Sequence, residues 1–282
     1  MRIGVVFPQN QIGTDPVTIR GFAREVERLG FAHLLAFDHV VGSRGIYAGQ
    51  PFHEVMVLMG HLAAVTERIE LALGVLVLPQ RQTALAAKQI ATLDLLSGQR
   101  LRTGVGVGWA EEEFAALGQP FHRRGRRMDR QLGVLRELWT RETVRAEVDG
   151  ERFRDVGLNP PPVRTPPLWI GGHSQAAARR VAEWGEGWLL NLQNGYEADR
   201  ERFLALMQDL EDALAAVGRP RGEVGVEVWL RADALPEERW AADAASWEAL
   251  GVTHLTVRTE GSPPRPPAEH LALLSRVAAA LL

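Results

Sequence analysis

The sequence of 282 residues contains no cysteine. Without thiols the chain can form no disulfide, no thiolate–zinc site and no iron–sulfur cluster, and it has no cysteine nucleophile. Long apolar runs are also missing, since no window approaches the roughly 18 residues that span a bilayer. The N-terminal stretch MRIGVVFPQN lacks the apolar core and the cleavage site of a signal peptide. We therefore expect a cytoplasmic protein.

A large excess of charge of either sign is absent too. The formal net charge is −3 and the isoelectric point is about 6.3, so the chain as a whole does not attract a phosphate backbone or an anionic membrane. Its histidines show neither the i, i+4 spacing nor the clustered carboxylates of a good metal site, and no G-x-S-x-G elbow occurs. We predict a small-molecule substrate and no nucleic-acid, membrane or metal partner.

Short β-branched apolar runs alternate with segments of helical period, which is typical of βα units on a parallel sheet. Eight strands are predicted, at Ile3–Pro8, Ala32–Phe37, Ile69–Leu78, Leu101–Val107, Leu168–Ile170, Trp188–Asn191, Val224–Leu230 and His254–Val257. Eight strands with intervening helices fit a (β/α)8 TIM barrel, whereas an open doubly wound sheet usually has fewer strands. The predicted fold class is α/β, with one barrel domain over residues 1–282.

Capping residues predict where the helices begin and end. Asp15 and Pro16 suit the N-cap and the first turn of a helix that Gly30 ends. The interval 144–167 interrupts the alternation, because VRAEVDGERFRDV predicts a hairpin about an Asp149-Gly150 turn and NPPPVRTPP predicts extended chain. We interpret this interval as an insertion between strands 4 and 5.

Two polar residues follow the second predicted strand. Asp38 and His39 come directly after an apolar run, and the carboxyl ends of barrel strands are where active sites form. A purely structural interpretation, in which Asp38 caps a turn and His39 bonds a loop carbonyl, is equally compatible with the spacing.

Glycines replace residues with side chains at several positions of the third and fourth predicted strands. Gly74 interrupts the third, and Gly104, Gly106 and Gly108 alternate along the fourth. The stretch is not the dinucleotide fingerprint, since the third glycine of G-x-G-x-x-G would fall at Trp109. A row of small residues that leads to the barrel mouth favours a flat, wide group laid against the backbone.

Two later stretches and one acidic run have alternative interpretations. LWIGGHSQAAARR places Ser174 at the start of a helix, which favours either a phosphate site or an ordinary cap. FHRRGRRMDRQ holds five arginines, typical of a solvated helix face with internal ion pairs, or else of a site for an anionic ligand tail. The run of Glu111, Glu112 and Glu113 lacks the opposing carboxylate of a glycosidase.

These residues together resemble the luciferase-like monooxygenase superfamily, in particular its branch of deazaflavin-dependent oxidoreductases that use coenzyme F-420. The resemblance covers essentially the whole chain. Five stretches carry it in this order: GVVFPQN, FDHVV, TERIELALGVLVLPQRQTALAAKQIATLDLLSGQRL, GVGVGWAEEEFAALGQPFHRRGRRMD and LWIGGHSQAAARRVAEWGEGW.

The resemblance implies that an isoalloxazine or deazaflavin ring lies in the barrel mouth, that a non-proline cis peptide occurs at Gly74–Val75, and that the chain forms a homodimer. His39 inherits proton transfer. The substrate side of the barrel mouth would be lined by Trp109, Phe52 and the 43–53 loop. The cofactor-binding residues that it implies are Asp38, Gly74, Val75, Leu76, Gly106, Val107, Gly108, Glu112, Gly172, His173 and Ser174.

The function predicted first is hydride transfer between F-420 and a small organic substrate. A monooxygenase that uses reduced FMN and oxygen is the alternative within enzymes, and a non-catalytic flavin or deazaflavin carrier is the alternative outside them. Sugar-phosphate dehydrogenases of this group place a glutamate base directly after the G-x-G-x-G run, where this chain has Trp109. With Glu111 and Glu112 displaced along the turn, the resemblance does not extend to that reaction.

Overall fold

Parallel strands from along the whole chain form a sheet that closes on itself. The computed structural model describes residues 1–42, 50–261 and 263–282. The strands in these ranges are β1 (Arg2–Val6), β2 (His33–Ala36), β3 (Glu70–Leu73), β4 (Leu76–Val77), β5 (Leu101–Gly106), β6 (Val144–Val148), β7 (Glu151–Val156), β8 (Leu168–Gly171), β9 (Gly187–Leu189), β10 (Gly225–Arg231) and β11 (His254–Arg258).

Helices follow the strands of the sheet and cover its outer surface. Those in the described ranges are α1 (Pro16–Arg28), α2 (Val55–Val65), α3 (Thr83–Leu96), α4 (Glu111–Ala116), α5 (Arg124–Thr140), α6 (Gln175–Trp184), α7 (Tyr196–Ala216), α8 (Trp240–Ala249) and α9 (Pro267–Leu281). None of them combines the length and the apolarity that a membrane crossing needs.

The sheet has the order β3-β2-β1-β11-β10-β9-β8-β5-β4, and an additional pairing of β3 with β5 closes it. β3 and β4 are the two halves of the third predicted strand, and the peptide bond between them, Gly74–Val75, is cis. The prediction of an α/β fold with a closed eight-stranded parallel barrel is confirmed, and so is the cis bond that the resemblance implied.

Local sequence signals set most of the helix ends. The Asp15 side chain accepts hydrogen bonds from the amides of Val17 and Thr18, and Gly30 follows the helix with a φ of 92°, as the cap pattern predicts. Thr83 is the first residue of α3, and the N-cap residue Gln82 makes no side-chain cap bond. The amide of Thr83 donates to Oε2 of Glu151 at 2.7 Å, so a distant carboxylate caps α3.

The predicted hairpin is present as the antiparallel pair β6 and β7. Asp149 and Gly150 both have positive φ, 45° and 90°, as a two-residue turn of this kind requires. Arg127 of the arginine-rich stretch is buried, forms an ion pair with Glu151 of the hairpin and donates to the carbonyl oxygen of Pro79 at 3.1 Å. The interpretation of that stretch as a solvated helix face is therefore wrong for Arg127.

The floor of the barrel holds a network of buried ionisable groups. Arg102 forms ion pairs with Glu227 and Glu70, and its guanidinium lies 4.5 Å from the ring centroid of Trp169. Thr256 donates to Glu227 at 2.8 Å. Since a buried guanidinium is tolerated when carboxylates face it, these pairs fix the register of β3, β5 and β10 against one another.

Candidate cofactor and active site

A cavity of about 410 Å³ opens at the carboxyl ends of the strands. Eleven residues predicted from the sequence or from the resemblance line it: Asp38, His39, Phe52, Gly74, Val75, Gly106, Val107, Gly108, Trp109, Gly172 and His173. The remaining lining residues are Asn10, Phe37, Val77, Gly171, Leu189, Asn191, Trp229, Arg258 and Glu260. The structure thus brings most of the predicted residues together, although their part in binding a cofactor stays a prediction.

Three predicted residues do not line this cavity. Leu76 is fully buried in the core between the barrel and its helices, Glu112 is exposed on α4, and Ser174 is an exposed N-cap residue. Of the predicted 43–53 loop, residues 43–49 lie outside the described part of the chain.

Small residues form one side of the cavity, which we call the glycine side. It comprises Gly74, Gly106, Gly108, Gly171 and Gly172, at the ends of β3, β5 and β8. The opposite side is formed at the carboxyl ends of β1, β9, β10 and β11, and we call it the polar side. It comprises Asn10, Asn191, Trp229, Arg258 and Glu260.

The glycines have a different cause from the one that the sequence suggested. A Cβ atom on Gly106 would lie 2.5 Å from Cγ2 of Val75, and one on Gly171 would lie 2.6 Å from Cγ1 of Val75. A Cβ atom on Gly104 would collide with the carbonyl oxygen of Leu73. The absence of side chains on Gly106 and Gly171 therefore leaves room for Val75, and its absence on Gly104 leaves room for the main chain where the third strand is interrupted. Val75 in turn forms an apolar part of the cavity lining.

His39 and Glu113 form a hydrogen-bonded pair at the cavity. Nδ1 of His39 lies 3.3 Å from Oε2 of Glu113, whose other oxygen accepts from the amides of Val40 and Val41 at 2.8 and 3.3 Å. Phe52 and Trp109 stand edge-on to the imidazole, at centroid distances of 5.0 and 6.2 Å.

The carboxyl group of Glu113 is held in its ionised form. Burial on its own would raise the pKa of Glu113, but the hydrogen bonds from His39 and from the two backbone amides outweigh it, and the pKa is lowered. A carboxylate beside an imidazole orients the ring and stabilises its protonated state. Sequence reasoning named Glu113 only as part of an acidic run and missed its pairing with His39, although Phe114 beside it signals that this part of α4 faces inward.

Asp38 lies in the cavity wall, and its carboxylate is already bonded. It accepts from the amide of Val77 at 2.9 Å and from Nη2 of Arg81 at 2.7 Å, and Arg81 also donates to Glu54 at 3.0 Å. These bonds tie the loop after β2 to the chain after β4. Asp38 is thus an anchor that positions His39 next to it, and Arg81, which sequence reasoning did not single out, is its partner.

On the glycine side, the chain after β8 turns into α6. Gly172 has a φ of 129°, in the region that favours glycine. Oγ of Ser174 accepts from the amide of Ala177 at 3.2 Å, so Ser174 is an ordinary N-cap. Burial, reinforced by the charge of Arg202 and opposed by that of Asp199, lowers the pKa of His173.

On the polar side, Arg258 and Glu260 end the last strand. Nε of Arg258 donates to Oε2 of Glu260 at 2.8 Å, and its Nη1 donates to Gln193 at 3.0 Å. Burial raises the pKa of Glu260 to about 7, against the opposing effect of Arg258. Oε1 of Glu260 is buried and has no hydrogen-bond partner among the described residues.

A metal centre is not found in the described part of the chain, where no three His, Asp or Glu side chains come close enough to hold an ion.

Comparison with known proteins places this geometry in a family. The sequence model of the luciferase-like monooxygenases matches residues 1–271. An uncharacterised protein of Mycobacterium tuberculosis is 36% identical over 65% of this chain and 59% of its own length. The FMNH2-dependent dimethylsulfone monooxygenase of Pseudomonas putida is 34% identical over 58% of this chain and 47% of its own length.

The chain spans less than two thirds of the length of these two relatives. Among solved structures, an F-420-dependent secondary alcohol dehydrogenase, in complex with an F-420–acetone adduct, superposes with a TM-score of 0.82 over 100% of this chain and 99% of its own, at 14% identity. Likeness at that identity shows the fold. The match of the family model over nearly the whole sequence shows that the chain belongs to the luciferase-like monooxygenase family.

Proposed function

We propose that this chain is an oxidoreductase that binds coenzyme F-420 and transfers a hydride between it and a small organic substrate. The observation that carries the proposal is the His39–Glu113 pair at a cavity with one side built from glycines. When bound, the deazaflavin supplies two-electron hydride chemistry. The side chains of the protein supply orientation and the accompanying proton.

The cavity fits a large ligand with both polar and apolar parts. Four lining residues carry buried polar atoms that lack a hydrogen-bond partner in the described ranges: Oδ1 of Asn10, Nε2 of His173, Nε1 of Trp229 and Oε1 of Glu260. Val75 provides an apolar surface beside them. Because buried polar atoms are nearly always bonded, these atoms support a ligand with its own donors and acceptors.

His39 gives or takes the proton that accompanies the hydride. An imidazole can both accept and donate a proton, so the same residue can serve hydride transfer in either direction. Glu113 holds the ring at Nδ1 and stabilises it when it is protonated. Phe52 and Trp109 stand edge-on to the ring and limit the directions from which a substrate can approach it.

A phosphate group of the cofactor would bind at the loop of Gly172, His173 and Ser174. The amides at the start of α6 point out of the helix toward this loop, as those of any helix N-terminus do. Ser174 already caps one of them, so the backbone amides and not the hydroxyl would make most of the contacts.

Reduced FMN with oxygen is the second candidate. The 34% identity to a dimethylsulfone monooxygenase that is FMNH2-dependent favours it. In that case the same cavity would hold the isoalloxazine ring, and the protein would consume oxygen in the presence of reduced FMN. A homodimer remains predicted in either case, and light scattering of the purified protein tests it.

Equilibrium titrations with F-420 and with FMN, followed through cofactor and tryptophan fluorescence, test the choice of cofactor. We expect tighter binding of F-420. Tighter binding of FMN, with oxygen consumption after its reduction, would replace the first candidate by the second.

His39→Ala tests whether the protein is an enzyme or a non-catalytic carrier of the cofactor. We expect substrate-dependent oxidation of reduced F-420, screened over ketones and other small acceptors, to fall by about 100-fold or more, the size of a general acid–base contribution. Affinity for F-420 should be kept. A carrier would show no such oxidation even in the wild type.

His122→Ala is the matched control, because His122 lies 4.0 Å from Glu111 in a similar pair that is exposed and outside the cavity. It should leave both oxidation and affinity unchanged. Glu113→Gln should lower the rate and shift its pH profile, since the ring loses the charge that stabilises its protonated state.

A further inference from the structure

The polar side of the cavity contains a buried acid to which the proposed hydride transfer assigns no role. The Glu260 side chain is 2% exposed, and its two oxygens differ. Oε2 accepts from Arg258 at 2.8 Å, whereas Oε1 has no partner within the described ranges. A buried carboxyl oxygen without a partner is costly unless a ligand completes it.

The charges around Glu260 come from two adjacent strands. Arg258 lies on the same strand, and Arg231 and Asp233, at the end of β10, form a bidentate pair of their own. On α9, Nδ1 of His270 lies 2.8 Å from Oγ1 of Thr259. The lowered pKa of His270 leaves its imidazole neutral near pH 7. Burial is the largest influence on the pKa of Glu260 and, with the charge of Asp233, raises it against the two arginines, which favours the neutral acid.

Two nitrogens of the Arg258 guanidinium are engaged within the protein, since Nε is bonded to Glu260 and Nη1 to Gln193. An anionic ligand group at this wall would therefore compete with the Glu260 carboxylate for Arg258, and the negative charge of Asp233 also acts at this position. A neutral oxygen meets donors instead, since Nε1 of Trp229 on β10 is buried and has no partner in the described part of the chain.

We propose that Glu260, as a protonated carboxyl, donates a hydrogen bond to an uncharged carbonyl or hydroxyl oxygen of the substrate, so that the polar side selects neutral oxygen compounds over carboxylates and phosphates. This deepens the proposed function by naming the substrate chemistry. It concerns the free cavity wall, however, and can be tested without F-420.

Three probes on one six-carbon ring separate the possibilities: cyclohexanone, cyclohexanol and cyclohexanecarboxylate. Binding to the full-length wild type is measured by ligand-observed NMR and by tryptophan fluorescence at about pH 6 and at about pH 8.5. We expect the ketone to bind more tightly than the carboxylate at the lower pH. Its affinity should fall roughly three- to tenfold at the higher pH, the value of one neutral hydrogen bond.

The alcohol should lose less affinity than the ketone, because a hydroxyl can donate to the ionised carboxylate. Glu260→Gln keeps a donor and should bind the ketone equally at both pH values, whereas Glu260→Leu should bind it weakly at both. Glu186→Gln is the matched control, since burial also raises the pKa of Glu186 and this residue does not line the cavity. It should behave as the wild type does.

The proposal is overturned if the carboxylate binds as tightly as the ketone at the lower pH, if Glu260→Gln retains the pH dependence of the wild type, or if no probe binds up to its solubility limit. Failure of F-420 to bind, with these probe results intact, would instead remove the proposed cofactor and leave the substrate chemistry in place.

Discussion

The two ends of the barrel use the same charged residue types in opposite ways. At the floor, Arg102 lies between Glu227 and Glu70, so the charge of each buried group is met by the charge of another. At the mouth, Arg258 meets only one oxygen of Glu260, and the other oxygen has no partner in the described ranges. The same chemistry stabilises the fold at one end and remains open to a ligand at the other.

This difference separates stability from binding within one sheet. Partners from several strands converge on the floor, whereas at the mouth the chain leaves each strand for a loop and the cavity takes the place of a partner. Variants of the floor should therefore change the free energy of unfolding and leave binding in the folded protein unchanged. Variants of the mouth should change pH dependence and ligand affinity.

Arg102→Met is the strongest test of the floor. The change leaves the fully buried Glu227 without its cation, whereas Glu70 keeps only the exposed Arg2, and we expect the free energy of unfolding to fall by about 3–5 kcal/mol. Urea denaturation measures it. F-420 affinity of the molecules that remain folded should match that of the wild type.

Arg2→Met is the control for Arg102. Arg2 also pairs with Glu70, at 2.9 Å, but its side chain is 52% exposed, so the loss should stay below about 1 kcal/mol. Equal losses in the two variants would contradict the assignment of stability to the buried network.

Glu260→Gln should stabilise the protein in alkaline solution. The pKa of Glu260 is raised from 4.5 to about 7, so its contribution is most favourable below pH 4.5 and is lost as the pH rises through 7. At pH 8 the buried carboxylate costs about 3 kcal/mol, and the amide, which has no charge, removes this cost. Urea denaturation at pH 5 and pH 8 should show a gain at pH 8 that is much smaller at pH 5; an equal gain at both would refute it.

His270→Gln should change the free energy of unfolding in acidic rather than in alkaline solution. The pKa of His270 is lowered from 6.5 to about 4, so its contribution is complete above pH 6.5 and is lost as the pH falls toward 4. The wild type should lose about 2 kcal/mol from this group by pH 5, and the variant should not. Unfolding curves between pH 7 and pH 4 test this, and parallel curves for the two proteins would count against it.

Ser174→Ala has the smallest expected effect. Loss of the N-cap of α6 should lower the free energy of unfolding by about 1 kcal/mol. If phosphate binds at this loop, the variant should weaken FMN slightly and leave riboflavin, which has no phosphate, unchanged. Fluorescence titration compares the two.

Ser275→Ala is the matched control for Ser174. Its hydroxyl donates to the carbonyl of Leu271 within a helix and caps nothing, so neither stability nor binding should change measurably. A weakening of FMN and riboflavin by the same factor in Ser174→Ala would argue against a phosphate site.

The barrel could be predicted from the sequence because its signals are local. Strand and helix periods, the Asp15 cap and the Asp149-Gly150 turn each depend on a few neighbouring residues. The glycine alternation was recognised, but its cause was not, since it depends on Val75 of a different strand.

The candidate site could be predicted only in part, because its partners are distant in sequence. His39 and Glu113 are 74 positions apart, and the neighbouring Phe114 indicates that Glu113 faces inward but not which residue it meets. Glu260 carries a clearer signal, since it lies three residues beyond the last predicted strand, and the rule that places sites at the carboxyl ends of barrel strands covers this segment.

Closure of the barrel has one further consequence, for how copies of the chain can associate. Apart from the short β4, the strands of the main sheet pair on both sides, so in the described part of the chain free backbone edges belong chiefly to β6 and β7. Exposed Arg145, Glu147, Arg152 and Arg154 occupy that hairpin, and charged side chains discourage the addition of a foreign strand. Contacts between copies must then be made by helix surfaces and loops, which protects the sheet from edge-to-edge aggregation.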